Sequence, residues 1–182
     1  MTKKRVTRDS SDTCGQIKAS TEARAPTPPP GVDVRRATPA DAECLATCRT
    51  RMFLDMGVPE EATEAVHQAF VAYLKQAIGS CEYLGWVGFL EGRLAGGLGA
   101  LIQQGPPFSH NMDGRSARLM SMYVLPECRR QGMATALMEA ALRDLYRAGI
   151  RAFSLVASNQ GRPLYLRLGF EDSPEMKLWL PD

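Results

Sequence analysis

No run of apolar residues in this chain approaches the ~20 needed to cross a bilayer, which excludes a helical membrane span. The N-terminus Met1-Thr-Lys-Lys-Arg5 opens like a secretion signal, but no apolar segment follows it. Only two histidines, His67 and His110, are present, and the five cysteines (14, 44, 48, 81 and 128) form no C-x-x-C pair. That leaves neither a zinc cluster nor a disulfide framework to expect. An odd set of scattered thiols fits a reducing compartment, and the cytoplasm is the expected location. There is no G-x-x-x-x-G-K-[ST] and hence no P-loop, and Gly97-Leu98-Gly99 lacks the third glycine and the following helix of a dinucleotide fingerprint. Those glycines read instead as a bulge or a close approach within a strand. A net charge of +2 gives no electrostatic case for a nucleic-acid partner.

What is present is the composition of an ordinary globular protein, 45% apolar and 23% charged in 182 residues, which leaves room for one sizeable domain and a tail. Residues 1–31 are polar and end in Ala25-Pro-Thr-Pro-Pro-Pro-Gly31, with Val6 and Ile17 as the only large aliphatic side chains. Such a segment buries too little apolar area to offset its ordering entropy, so a disordered or extended tail is expected. The single folded domain then spans 32–182.

Within it the pattern alternates. Val32–Arg36 reads as a short strand, and Thr38-Pro39 starts a helix running to about Met56, with a capping threonine and proline at the first helical position. A second helix follows from near Pro59 to Ile78, with Ala62, Val66, Ala69, Phe70, Tyr73 and Leu74 as its apolar face. Cys44 and Cys48, one turn apart, share a core-facing stripe of the first helix. Strands are expected at Tyr83–Leu90 and Leu94–Gln103, flanking the Glu91-Gly-Arg93 turn, and at Ala117–Val124. A long helix ends at Gly149, and Ala152–Ala157 forms a buried-type strand. A short helix, Arg162–Leu168, and a last strand, Met176–Leu180, complete the α/β arrangement.

The most informative stretch is Glu127-Cys-Arg-Arg-Gln-Gly-Met-Ala134, between a strand pattern and a helix pattern. The first N–H groups of a helix have no partner inside it, and the helix dipole adds positive potential there. Gly132 lets an anion approach the main chain, Arg129 and Arg130 add charge, and Ala134 is small. Taken alone, this turn is equally suited to a nucleotide, a sugar phosphate or a coenzyme.

About thirty residues later the chain reads Ser158-Asn-Gln-Gly-Arg-Pro-Leu-Tyr-Leu-Arg-Leu-Gly-Phe170. With Arg129-x-x-Gly132-x-Ala134, this segment resembles the GNAT superfamily of acetyl-coenzyme A-dependent N-acetyltransferases, over roughly Val32 to Leu180. The resemblance implies a GNAT fold, with a mixed, splayed central sheet flanked by helices, and acetyl-CoA as co-substrate without a metal. It puts Arg129, Arg130, Gln131, Gly132, Met133, Ala134 and Thr135 on the pyrophosphate loop. Met122, Tyr123 and Val124 fall on the central strand that faces pantetheine and the thioester, and Ser158, Asn159 and Arg162 on coenzyme positions of the later segment. Tyr165 matches the family's tyrosine that protonates the departing thiolate. Two positions depart from the family pattern: Ser158 stands where asparagine is usual, and Gly161 where alanine is usual.

The implied activity is acetyl transfer to a primary amine of a small molecule, peptide or protein, by direct attack in a ternary complex. A strand N–H near Val124, freed where Pro126 interrupts pairing, would receive the developing oxyanion. The first two helices and their connection form the acceptor side by resemblance, which makes Arg51 and Asp55 candidate acceptor contacts; Glu60 and Glu61 are further carboxylates there. The central strand offers no Glu or Asp as a general base. Cys128 beside the loop raises a covalent acetyl-cysteine route as a less expected path. A coenzyme-binding sensor without catalysis is the competing class, and a homodimer supported by the apolar C-terminal strand stays open.

Overall fold

The structure, a computed structural model, describes residues 28–176 and Leu178. Among these residues five strands and four α-helices follow in the expected order. Strand β1 (Val32–Arg36) leads through a 3-10 turn (Pro39–Asp41) into helix α1 (Ala42–Asp55), then α2 (Glu60–Ala77). Strands β2 (Tyr83–Leu90), β3 (Arg93–Gln104) and β4 (Arg115–Val124) precede helix α3 (Met133–Arg147). Strand β5 (Ala152–Leu155) and helix α4 (Arg162–Arg167) follow. The expected tail lies outside the described residues as far as position 27. So does the expected last strand Met176–Leu180, apart from Met176 and Leu178, which are exposed and in no strand.

The sheet runs β1-β2-β3-β4-β5, antiparallel through β4 and parallel between β4 and β5. It is the mixed, open sheet flanked by helices that the resemblance implied. Strand β2 is buried on both faces. Tyr83 and Val87 pack with Leu45, Val71 and Leu74 of α1 and α2, while Leu84 and Trp86 pack with Leu137, Met138 and Leu145 of α3. Alternation along one strand thus divides the core into two layers.

The inward face of α2 agrees with the expected one only in part. Leu74 is buried and Phe70 packs half-buried against the core, but Ala62, Val66, Ala69 and Tyr73 are exposed, and Thr63, Val71 and Ala77 are buried instead. Thr63 can face inward because its polar atom is satisfied locally: the hydroxyl donates to the Glu60 carbonyl at 2.8 Å and needs no solvent. His67 is also drawn inward, with Nδ1 2.9 Å from Thr50 Oγ1 and Nε2 3.2 Å from Glu43.

Entry into α1 is fixed by Asp41, only 7% exposed. Its Oδ2 accepts from the Thr38 N–H and hydroxyl at 2.8 Å each, and Arg35 holds both oxygens at 2.7 and 2.9 Å. The Arg35 guanidinium, aided by Thr38, outweighs burial and keeps the carboxyl well below the usual carboxylate range. A depressed folded pKa gives stability that is complete above the unfolded value of about 3.9 and is lost as pH falls below it. Asp41→Asn should therefore cost about 1.5–3 kcal/mol at pH 7 and much less near pH 2. Urea midpoints at the two pH values measure this, and an equal loss at both would refute the charge-based account.

Candidate active site

Strand β4 is where the sheet opens. It pairs with β5 only through Ser116–Leu119, while β4 itself runs on to Val124. From Met120 onward no strand among the described residues lies beside its β5-facing edge. The Leu125 N–H donates to the Ala95 carbonyl at 2.9 Å, so pairing with β3 continues to the residue before Pro126. By the alternation of an antiparallel ladder, the Val124 N–H then points to the opposite side, into the opening. Divergence of β4 from β5 frees this group, rather than the interruption at Pro126 that the sequence suggested.

A bulge sharpens the geometry. Gly97 opposes Tyr123 and Gly99 opposes Met120, so β4 carries one residue more than β3 over this interval. Ser121 takes up the excess at φ +54°. The sequence reading of Gly97 and Gly99 as a bulge or a close approach holds on both counts. A side chain on Gly99 would overlap the Tyr83 hydroxyl outright.

Beyond β4, a 3-10 turn (Pro126–Cys128) leads to Gly132, which precedes α3 at φ +82°. The first helical hydrogen bond is Ala136 N–H to the Gly132 carbonyl, 3.0 Å. The N–H groups of Met133, Ala134 and Thr135 therefore have no partner within the helix. No side chain caps them, and the first turn contains no acidic residue. This is an uncompensated positive helix end, able to hold an anion. Gly132 has a second role besides its φ: a Cβ there would stand 2.6 Å from the Pro29 ring, which covers that side of the loop.

The expected loop side chains divide by direction. Met133 is 1% exposed and points into the core, so only its backbone can serve an anion. Arg130 is exposed, and Gln131 donates to the Glu127 carbonyl at 3.1 Å. Arg129 turns toward α1: its Nε donates to the Val124 carbonyl at 2.9 Å and its Nη2 to Asp55 at 2.7 Å. The Tyr123 hydroxyl donates to the same Asp55 oxygen at 2.8 Å. Arg129, then Tyr123, lowers the Asp55 pKa. Burial, with Asp55 adding to it, pushes the Tyr123 phenol up to about 12. The structure thus joins a residue expected at the phosphates to one expected at the acceptor, tying the end of α1 to the end of β4. Arg51 is exposed nearby.

Tyr165 on α4 is 9% exposed and belongs to the same buried cluster as Val124, Cys128 and Met133. Its ring packs edge-on against Phe170, with centroids 6.0 Å apart, and burial raises its pKa. Ser158 starts the short helix: its hydroxyl accepts from the Gly161 N–H at 3.1 Å and its carbonyl from the Arg162 N–H at 2.9 Å. Arg162 is exposed and paired with Asp172. Asn159 is exposed beside them. Cys128 is buried and burial pushes its thiol pKa up, the reverse of what a nucleophilic thiolate needs.

The sequence reading missed Arg49. Its guanidinium carbon lies 4.8 Å from the Phe53 ring centroid and 4.7 Å from that of Phe70, and its Nη1 donates to Ser121 Oγ at 2.5 Å. The i,i+4 spacing of Arg49 and Phe53 on one helix was the available signal. Among the described residues no group of three His, Cys, Asp or Glu side chains could hold a metal, and no helix is long and apolar enough to cross a membrane.

Comparison with known proteins agrees with this geometry. The model of the acetyltransferase (GNAT) family matches residues 49–170. A GCN5-related N-acetyltransferase from Ralstonia eutropha JMP134 superposes with a TM-score of 0.75 at 28% identity, over 82% of this chain and 99% of that one. A predicted acetyltransferase from Clostridium acetobutylicum, solved with acetyl-CoA, gives 0.73 at 23% identity, over 82% and 96%. An aminoglycoside N-acetyltransferase in complex with CoA gives 0.64 at 19% identity, over 82% and 94%. No curated protein matches the sequence significantly. The chain belongs to the GNAT acetyltransferase family and is an acetyl-CoA-dependent acetyltransferase.

Proposed function

We propose that the protein acetylates a primary amine by direct attack within a ternary complex. The coenzyme pyrophosphate sits on the N–H groups of Met133, Ala134 and Thr135, with Arg130 adding charge at the loop. Pantetheine, with its two amides, lies along the β4 edge left open beyond Leu119, much as a peptide adds to a sheet. The Val124 N–H receives the thioester oxygen as negative charge develops on it. The neutral amine nitrogen bonds to the carbonyl carbon, and collapse of the adduct breaks the carbon–sulfur bond. Tyr165 gives its proton to the departing thiolate, the amine's proton leaves to water, and water returns a proton to the Tyr165 phenolate before the next turnover.

The observation that carries this reading is the uncapped first turn of α3 beside a β4 edge that no strand among the described residues covers, with Val124, Met133 and Tyr165 packed in one cluster. Burial of Cys128 and its raised pKa favour direct attack over an acetyl-cysteine. Free-thiol release from acetyl-CoA across a panel of amines tests the reading. Release should require the amine, and initial-rate lines should intersect. Parallel lines would indicate an acetylated enzyme. Tight coenzyme binding with no release for any amine would favour a sensor.

Gly132→Ala gives a separate check on the donor side. A residue with a Cβ at φ +82° carries a conformational cost of about 1–2 kcal/mol and meets Pro29. The loop should shift, and the acetyl-CoA Kd should rise roughly tenfold or more. Calorimetric titration measures it, and an unchanged Kd would remove the phosphates from this helix end.

A further inference from the structure

Two buried side-chain atoms among the described residues have no hydrogen-bond partner, Arg49 Nε and the Tyr83 hydroxyl, and they belong to neighbouring groups. Tyr83 is 1% exposed, and its hydroxyl lies above Gly99 in β3. Ser121, in the β4 bulge, adjoins both. Its Oγ accepts from Arg49, and it lies close enough to Tyr83 for their hydroxyls to interact, though not in hydrogen-bonding geometry. Buried polar groups in native proteins normally have partners, so two unpaired donors at one place call for a physical reason.

Among the described residues the charge of Arg49 has no counterion either. No carboxylate among the described residues lies within ion-pair distance of it. Asp55, the nearest carboxylate along α1 toward its C-terminus, is held by Arg129 and Tyr123. Glu43, toward its N-terminus, faces His67. Stacking on Phe53 and Phe70 compensates the guanidinium only in part, and burial lowers its pKa. A half-buried planar cation between two rings, without a carboxylate partner among the described residues, fits a carboxylate. This group touches β4 at Ser121, three residues before Val124, and it stands on the α1 and α2 side.

We propose that the acceptor is an amine bearing a carboxylate, which the half-buried Arg49 guanidinium binds; this rests on the reading of the protein as an amine acetyltransferase. The same cation disfavours polycationic acceptors. Amino acids and peptides with a free C-terminus share the required chemistry, and the assay separates them.

The test compares amino acids, their amides and the corresponding decarboxylated amines, with short peptides carrying free or amidated C-termini and with spermidine. The acids should exceed their amides in kcat/KM by tenfold or more, the effect of one charge-assisted hydrogen bond. Whichever of the free amino acids and the free-acid peptides reacts better identifies the source. In Arg49→Met the acid-to-amide ratio should fall to within about twofold, and Arg49→Lys should keep part of it. Acetyl-CoA binding by each variant is the folding control, and Arg49→Lys carries the test if Arg49→Met does not fold.

Independently of turnover, N-acetylated amino acids should bind the coenzyme A-loaded wild type more tightly than they bind the Arg49 variants. A ratio unchanged in Arg49→Met, a preference for spermidine, or equal binding of the N-acetyl acids to wild type and variant would overturn the proposal. Binding of those acids through Arg49 without acetylation of any amine would leave this site standing and defeat amine acetylation instead.

Discussion

Replacing Tyr165 with phenylalanine should lower kcat by about 10²–10⁴-fold, the range that general acid–base catalysis supplies, while acetyl-CoA affinity stays within about twofold. The packing supports this separation. The ring sits in the core cluster, meets Phe170 edge-on, and lies where a Cβ on Gly161 would stand 2.9 Å from it. Phenylalanine keeps those contacts and removes only the hydroxyl. Burial raises the phenol's pKa, so the proton to be donated stays on Tyr165 well above neutrality. Rates should hold their plateau to at least about pH 10, the ordinary phenol value, because the protonated form is the active one. Stopped-flow turnover and calorimetry on one preparation of each protein decide the matter. A variant with full turnover would make Tyr165 a packing residue and leave the thiolate to take its proton from water.

The uncapped helix start proposed to hold the donor was legible in the sequence because it is built from backbone. A strand, a basic turn with glycine and a helix dictate where Met133, Ala134 and Thr135 present their N–H groups, whatever surrounds them. Side-chain directions were much less legible. Arg129 follows the phosphate motif in sequence, yet it reaches Asp55 of α1, 74 residues away. No local pattern encodes a pairing across that distance. The inward face of α2 was partly misjudged for a related reason: apolar spacing selected Val66 and Tyr73, while buried Thr63 and half-buried His67 satisfy their polar atoms inside the fold. Arg49 resembled any solvated helix residue until Phe70 of the neighbouring helix and Ser121 of the bulge closed around it. Glycines were read more accurately. Close approach leaves a signature in composition, and Gly97 and Gly99 flank the bulge itself.

The largest stability effect should come from Trp86→Ala. Trp86 is fully buried in β2, on the sheet face that carries α3, and its Nε1 donates to Asp144 of that helix at 2.9 Å. Removing a buried tryptophan costs about 3–5 kcal/mol, set by the cavity that remains. For a chain of this size that corresponds to a Tm loss of roughly 6–20 °C. Trp86→Phe separates the contributions: it keeps much of the volume and loses the hydrogen bond, whose net value is about 1 kcal/mol. Since Asp144 is 28% exposed, water can replace the indole at its carboxylate. The phenylalanine variant should therefore keep most of the stability, whereas alanine should not. Urea midpoints with unchanged m-values would show that only stability moved. Function should follow, because the layer that Trp86 fills supports α3, whose first turn holds the donor phosphates in the proposed complex. The alanine variant should bind acetyl-CoA more weakly, and saturating coenzyme should restore part of its lost Tm, since a ligand specific for the folded state stabilises it. A Trp86→Ala protein with wild-type Tm would mean that α3 is held by its remaining contacts, Leu137, Met138 and Leu145, without need of the indole.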